Sequence, residues 1–324
     1  MRNRGGHRMR PRLKVRWIRV ARRNDLLLQA LDRHFSVEET EDAAVAFCGD
    51  GVLPSEAPPG ALTFFVPGEL GWPPLAQYDY SFGFLHLRGP RYHRLPNYAL
   101  FYPAASLVKD AGFVDRVMAE PREFCSFVVS NGNPMRTFQR IHFFHALNGM
   151  RRVSSGGRML NNAGPLAPTA EALDGFIQRH RFHIAMENKA WRGYTTEKIA
   201  SAMAAGTIPV YWGNPDVGRD FNPASFFHVR DHRRLVDARD ALLRLADDRD
   251  ALARMLRAPW FHDNRPNAAY ALEPLSDFIK RAIATGPQSK RRLFPATWAH
   301  KALEKVVGRA ANVAHQLNAR SQAR

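Results

Sequence analysis

The sequence is poor in cysteine, has no long apolar run, and carries almost no negative charge at its two ends. Only Cys48 and Cys125 occur in 324 residues, with no Cys-x-x-Cys pair and no spacing suited to a structural zinc. That excludes a disulfide framework and fits a reducing compartment. No stretch approaches the roughly 20 apolar residues that span a bilayer, and the basic start lacks the apolar run and cleavage site of a secretory leader. A cytoplasmic protein is expected. Residues 1–23 hold ten Lys or Arg and no carboxylate, and residues 290–324 hold eight with Glu304 alone against them. The ends therefore account for the whole net charge of +17, and the body between them is formally neutral. A broad duplex-binding face on that body is disfavoured, and no specific nucleic acid is expected as a partner.

What is present is ordinary globular composition, 45% hydrophobic and 11% aromatic. The length predicts two lobes with a cleft between them. Lys14 to Val20 reads as a strand and Asp25 to Phe35 as a short helix. Ala43 to Cys48 and Ala61 to Val66 read as buried parallel strands, with a further strand within Tyr78 to Leu87. After about Glu123 the alternation becomes regular. Strands are expected at Phe124–Ser130, Phe182–Met186 and Thr207–Trp212, and helices at Met135–Leu147, Ala170–Arg179 and Thr196–Ala205. A Gly-containing loop falls at Ser154–Arg158. Ala238–Arg257 and Asn267–Ala284 finish the second lobe as helices. The expected division is 1–121, 122–286 and a basic tail at 287–324.

The densest polar constellation lies between Phe182 and Asn222. A strand ends at Glu187-Asn188 and a helix starts near Thr195, a corner where free N–H groups favour anions. Lys198 in the first helical turn adds a charge, and Glu197 can accept hydrogen bonds from sugar hydroxyls. A solvated Glu-Lys pair at a helix start is the simpler alternative. Tyr211, Trp212 and Phe221 read as structural. The thirteen histidines are scattered, and the His142/His145 pair reads as packing or capping. Asp248-Arg249-Asp250 falls in a predicted exposed helix, so no tightly bound metal is expected.

This same segment closely resembles the signature of the α-1,3/4-fucosyltransferases. The matching residues are Met186-Glu187-Asn188, Gly193-Tyr194-Thr195-Thr196-Glu197-Lys198, Gly206-Thr207-Ile208-Pro209-Val210-Tyr211-Trp212-Gly213 and Asp220-Phe221-Asn222-Pro223. Upstream, Phe127–Asn131 with Arg136, Ser155-Gly156-Gly157-Arg158, Tyr78–Phe84, Arg91–Pro96 and Phe65–Glu69 resemble further family stretches. Met186 and Thr195 depart from the pattern as packing variants, and the stretch Tyr98–Arg122 is short.

The resemblance implies an α/β protein of GT-B architecture, two Rossmann-like lobes with the donor cleft between them. It implies an inverting transferase with the acceptor on the first lobe and GDP-fucose on the second. Glu69 is then the expected base, partly desolvated and facing the donor. Arg158 and Lys198 are expected on the diphosphate, with Arg158 favoured for paired contacts. Asn188 and Glu197 are expected on fucose or ribose hydroxyls, Tyr194 near the diphosphate, and Arg136 either at the donor or on the helix surface. GDP-fucose is the donor substrate, a glycan containing N-acetylglucosamine the acceptor, and Mn2+ or Mg2+ at most a stimulant that pairs with GDP. Another nucleotide sugar or acceptor, or an inactive glycan-binding relative, stays open.

Residues 290–324 place Trp298, Leu303, Val306, Val307, Val313 and Leu317 among Lys301, Lys305 and Arg309. This reads equally as a basic amphipathic helix on the anionic inner face of the cytoplasmic membrane or as a solvated tail. The charge alone leaves a basic nucleic-acid- or membrane-binding module as the rival of another class.

Overall fold

The computed structural model describes residues 10–130 and 134–288, with side chains described at all of these except 134–137. Residues 1–9, 131–133 and 289–324, the last of these nearly all of the basic tail, lie outside the described residues.

The first lobe is a parallel sheet built from β1 (Arg12–Ile18), β2 (Ser36–Glu39), β3 (Val45–Cys48), β4 (Leu62–Phe65), β5 (Tyr80–Gly83) and β6 (Tyr92–Arg94), with α1 (Leu26–Asp32) between β1 and β2. Strand order is β2-β1-β3-β4-β5-β6. All four residues of β3 and of β5 are buried, because central strands of such a sheet are covered on both faces. The two edge strands are absent from the sequence-based expectation. β2 reads Ser-Val-Glu-Glu and β6 is three residues long, since an edge strand needs no continuous apolar run. The strand expected over Tyr78–Leu87 pairs only as far as Gly83.

The chain then crosses to the second lobe through α2 (Tyr98–Phe101) and α3 (Phe113–Ala119). The second sheet holds β7 (Glu123–Phe127), β8 (Val153–Ser155), β9 (His180–Met186), β10 (Ile208–Trp212) and β11 (Phe227–His228) in the order β11-β10-β9-β7-β8, again parallel. Its helices are α4 (Pro134–Asn148), α5 (Ala170–Gln178), α6 (Glu197–Ala204), α7 (Leu235–Asp247) and α8 (Arg249–Arg257). The single helix expected over Ala238–Arg257 is therefore two. Asp248 breaks it with ψ 97° and caps the second piece through the Ala251 amide (2.9 Å). Cys48 and Cys125 are buried on β3 and β7 and are not joined by a disulfide.

The last helix, α9 (Leu272–Thr285), corrects the expectation that it finishes the second lobe. Its apolar face, Leu275, Phe278, Ile279 and Ala282, is buried, and Phe278 meets Phe64, Tyr80, Phe82 and His93 of the first sheet. Gln288 beyond it donates its backbone N–H to Asp79 (3.0 Å). Without α9 that face of the first sheet would expose aromatic rings, which is why the chain returns.

One ion pair ties the lobes. Arg94 of β6 donates from both terminal nitrogens to Asp220 (2.9 and 2.6 Å) and from Nε to the Phe84 carbonyl (2.9 Å). Burial works against the Arg94 charge, but Asp220 outweighs it and holds the guanidinium above its ordinary value. Asn267 donates to both the Asp220 carbonyl (2.8 Å) and the Tyr98 hydroxyl (3.0 Å), extending the clamp. Asp220→Ala would leave Arg94 largely buried without a counter-charge. A loss of about 3 kcal/mol is expected in a urea titration, and a loss below about 1 kcal/mol would show that the clamp is not structural.

Candidate active site

Every strand of the second sheet runs the same way, so the loops after β7, β8, β9 and β10 leave from one edge. At the end of β9 the carboxylate of Glu187 turns inward and is fully shielded from water. It accepts from the Thr196 amide (2.6 Å) and hydroxyl (2.7 Å), and Lys198 Nζ stands 3.4 Å away. Burial raises the Glu187 carboxyl above its ordinary value, with Lys198 pulling the other way. The neighbouring chain must be glycine at 213, because a Cβ there would lie 2.4 Å from Glu187 Cγ.

Glu187 thereby fixes both ends of the loop 188–195, and Asn214 fixes its middle. The Asn214 side chain accepts from the Gly193 amide (2.8 Å) and donates to the Thr195 hydroxyl (2.9 Å). Gly193 has φ +85°, and a Cβ there would sit 2.6 Å from the Phe84 carbonyl, so the loop lies directly against the first lobe.

This contact brings the predicted residues together. Asn188 Nδ2 donates to both oxygens of Glu69 (3.1 and 3.3 Å), and the Tyr194 hydroxyl donates to Oε2 (3.0 Å). Burial pushes the Tyr194 phenol far above its ordinary value, so it is a donor and not a phenolate. Lys198 is three-quarters covered, donates to the Thr196 hydroxyl (2.9 Å) and pairs with Glu197 (3.4 Å). Desolvation opposes its charge, but Glu197 and Glu187 overcome it and raise the ammonium above its ordinary value, with Glu69 adding to them.

Glu69 and Arg158 both lie at the surface. Glu69 is exposed at the cleft rim on the loop after β4, with its carboxylate held by Asn188 and Tyr194. Arg158, on the loop after β8, is exposed and has no hydrogen bond or ion pair among the described residues. The Arg136 side chain lies outside the described residues.

Three contributors were not singled out from the sequence. Arg140, one turn beyond Arg136 on α4, is 5% exposed, and its Nε has no hydrogen-bond partner among the described residues. Burial lowers its guanidinium below the ordinary value, while Glu187, Tyr194 and Glu69 favour its charge, and it remains a cation at neutral pH. Asp50, just after β3, accepts from the amides of Gly68 (2.8 Å) and Glu69 (2.9 Å) and so orients the Glu69 loop. Desolvation raises the Asp50 carboxyl against the pull of these two amides. Asn214 is the third. No signal separates Arg140 from Arg136 in the sequence, since residues four apart share a helix face.

His142 packs on Phe138 with ring centroids 3.9 Å apart, and Tyr211 and Phe221 are fully buried. Among the described residues no three His, Cys, Asp or Glu side chains gather in a metal-holding cluster, and no helix is long and apolar enough to cross a membrane.

Residues 119–273 match the model for the glycosyltransferase family 10 (fucosyltransferase) C-terminal region. The whole fold superposes on a crystal structure of an α1,3-fucosyltransferase with TM-score 0.67 and 25% identity, covering 88% of this chain and 92% of that one. Residues 119–273 are a family 10 fucosyltransferase region. A second similar structure, an α1,3-fucosyltransferase with GDP-fucose, gives TM-score 0.66 at 25% identity over 87% of this chain and 94% of that one. In sequence, the chain is 38% identical to the α-(1,3)-fucosyltransferase FucT of Helicobacter pylori over 136 residues, 42% of this chain and 27% of that protein. The chain spans well under two thirds of the length of the curated relatives it matches. The two parallel-sheet lobes are GT-B-like, as the similarity to family 10 implies.

If Asp50 orients the Glu69 loop, removing its acceptor oxygens should disturb turnover before binding. Asp50→Ala is expected to lower kcat about tenfold with the donor KM unchanged, and Asp50→Asn, which keeps one acceptor, to restore most of it. Equal kcat in Asp50→Ala and the native chain would refute the role.

Proposed function

We infer that the chain is an inverting α-1,3-fucosyltransferase that moves L-fucose from GDP-fucose to a hydroxyl of a glycan, on an N-acetylglucosamine residue or a related sugar. The observation that carries this is the Glu69 carboxylate of the first lobe, hydrogen-bonded by Asn188 and Tyr194 of the second lobe within electrostatic reach of Lys198 and Arg140. The family and the similarity to a structure with GDP-fucose support the donor.

In this reading the acceptor hydroxyl gives its proton to Glu69 as its oxygen bonds to the anomeric carbon. The bond from that carbon to the phosphate oxygen breaks on the opposite face, and its electron pair leaves with GDP. Arg140 and Lys198 stabilise the negative charge that gathers on the leaving diphosphate, aided by the N-terminus of α6. Asn188 and Tyr194 hold the base until the acceptor displaces them, and Glu197 takes fucose or ribose hydroxyls. Arg158, exposed on its loop, closes on the diphosphate only when donor is bound. A divalent ion enters only by pairing with GDP. Residues 290–324 place the enzyme on an anionic membrane surface, and flotation of the full chain with anionic liposomes tests that part separately.

Titration calorimetry with GDP-fucose, GDP-mannose and UDP-sugars tests the donor, and Glu69→Gln tests the base. Selective binding of GDP-fucose is expected, weakened about tenfold or more in Arg140→Ala and Lys198→Ala. Glu69→Gln is expected to lose about 10²- to 10⁴-fold in turnover with GDP affinity kept. Selective binding of another nucleotide sugar would overturn the donor, and full turnover in Glu69→Gln would overturn the base.

A further inference from the structure

Three loops form the rim around Glu69, and each leaves a large apolar side chain in water. Trp72 is 52% exposed, three residues beyond Glu69 on the loop after β4. Leu87 is 36% exposed on the loop after β5. Trp191 is 40% exposed, midway between Asn188 and Tyr194 on the loop after β9. Since β4 and β5 are hydrogen-bonded neighbours, their loops leave side by side. The loop after β9 meets them where Gly193 presses on Phe84, Leu85 and His86.

This placement is selective. The other described tryptophans, Trp17, Trp212 and Trp260, pack in or against the core, and only the two at the rim are exposed. Both are also held. The Trp191 carbonyl accepts from the Tyr194 amide (3.1 Å), and the adjoining Arg192 is paired to Asp216 (2.8 Å). Trp72 is followed by Pro73 and Pro74, whose rings limit the backbone, and Leu75 closes a turn onto Pro73 (2.9 Å). Exposed apolar side chains grouped beside a polar site mark a binding surface, and a backbone fixed in advance lowers the ordering cost of binding.

A pyranose ring has one face made largely of C–H groups, which suits the electron-rich face of an indole. We propose that Trp72 and Trp191 are the acceptor platform, stacking the sugar rings on either side of the hydroxyl that Glu69 deprotonates, with Leu87 completing the apolar rim. The platform selects an oligosaccharide over a monosaccharide, because two stacking surfaces engage more than one ring. This rests on the transferase reading above and deepens it by naming what holds the acceptor.

The test is calorimetric titration of the full chain, with GDP present, by N-acetyllactosamine and by diacetylchitobiose. At least one disaccharide is expected to bind, more tightly than N-acetylglucosamine. Trp72→Ala and Trp191→Ala should each weaken it about tenfold, with Trp→Phe variants recovering most of the loss. GDP affinity and acceptor-independent hydrolysis of GDP-fucose should stay unchanged in all four. Unaltered disaccharide affinity in both alanine variants, no binding by the native chain, or a parallel loss of GDP affinity would each overturn the platform. Disaccharide binding that depends on the tryptophans, in a chain that leaves GDP-fucose untouched, would keep the platform and defeat the transferase reading.

Discussion

A carboxylate with no contact with water, Glu187, is the point on which the candidate site turns. A charged group so placed is costly unless it is both hydrogen-bonded and paired, and Thr196 and Lys198 supply the two conditions together. Satisfying it obliges the chain to return from Asn188 to Thr196 within a few residues. It also obliges glycine at 213, where the two strand ends approach each other. The loop so closed is the one that presents Asn188 and Tyr194 to the first lobe. A burial requirement inside one lobe therefore sets the geometry of a contact between two.

That contact has a second support in the clamp of Arg94 and Asp220, which lies behind the same loop. Arg94 Nε holds the Phe84 carbonyl, the atom against which Gly193 rests. The lobes are thus joined by a bidentate pair backed by packing and by the exchange of segments, α2 and α3 in one direction and α9 in the other. Around the cleft the charges are mixed. Lys198 is engaged by Glu187 and Glu197, while Arg140 keeps a buried Nε without a partner among the described residues. Of the two, Arg140 has less to give up when an anion arrives.

Much of this was legible in the sequence, for identifiable reasons. Central strands such as Val45–Cys48 and Ile208–Trp212 are buried on both faces, so their apolar runs stand out. The polar corner from Glu187 to Lys198 was legible because a strand end followed by a helix start leaves few residue types that suit it. The edge strands β2 and β6 were not, because one open side removes the pattern. The destination of α9 was not either: its apolar stripe says that one face is buried but not against which sheet. Asp50 and Asn214 act through backbone amides, an interaction that any short polar residue in a loop can make and that only the folded path reveals.

The same distinction separates the two halves of the site. Where a residue must satisfy a buried neighbour, its identity follows from packing, and the segment from Gly206 to Gly213 shows how little freedom is left: Thr207 donates to two carbonyls, Tyr211 accepts from Asn214, and Gly213 yields to Glu187. At the rim no such demand applies. Trp72, Leu87 and Trp191 are each exposed to water over a third or more of their surface. The part of the cleft built by the second lobe is thus readable from the rules of burial, whereas the rim positions are ones that those rules leave free.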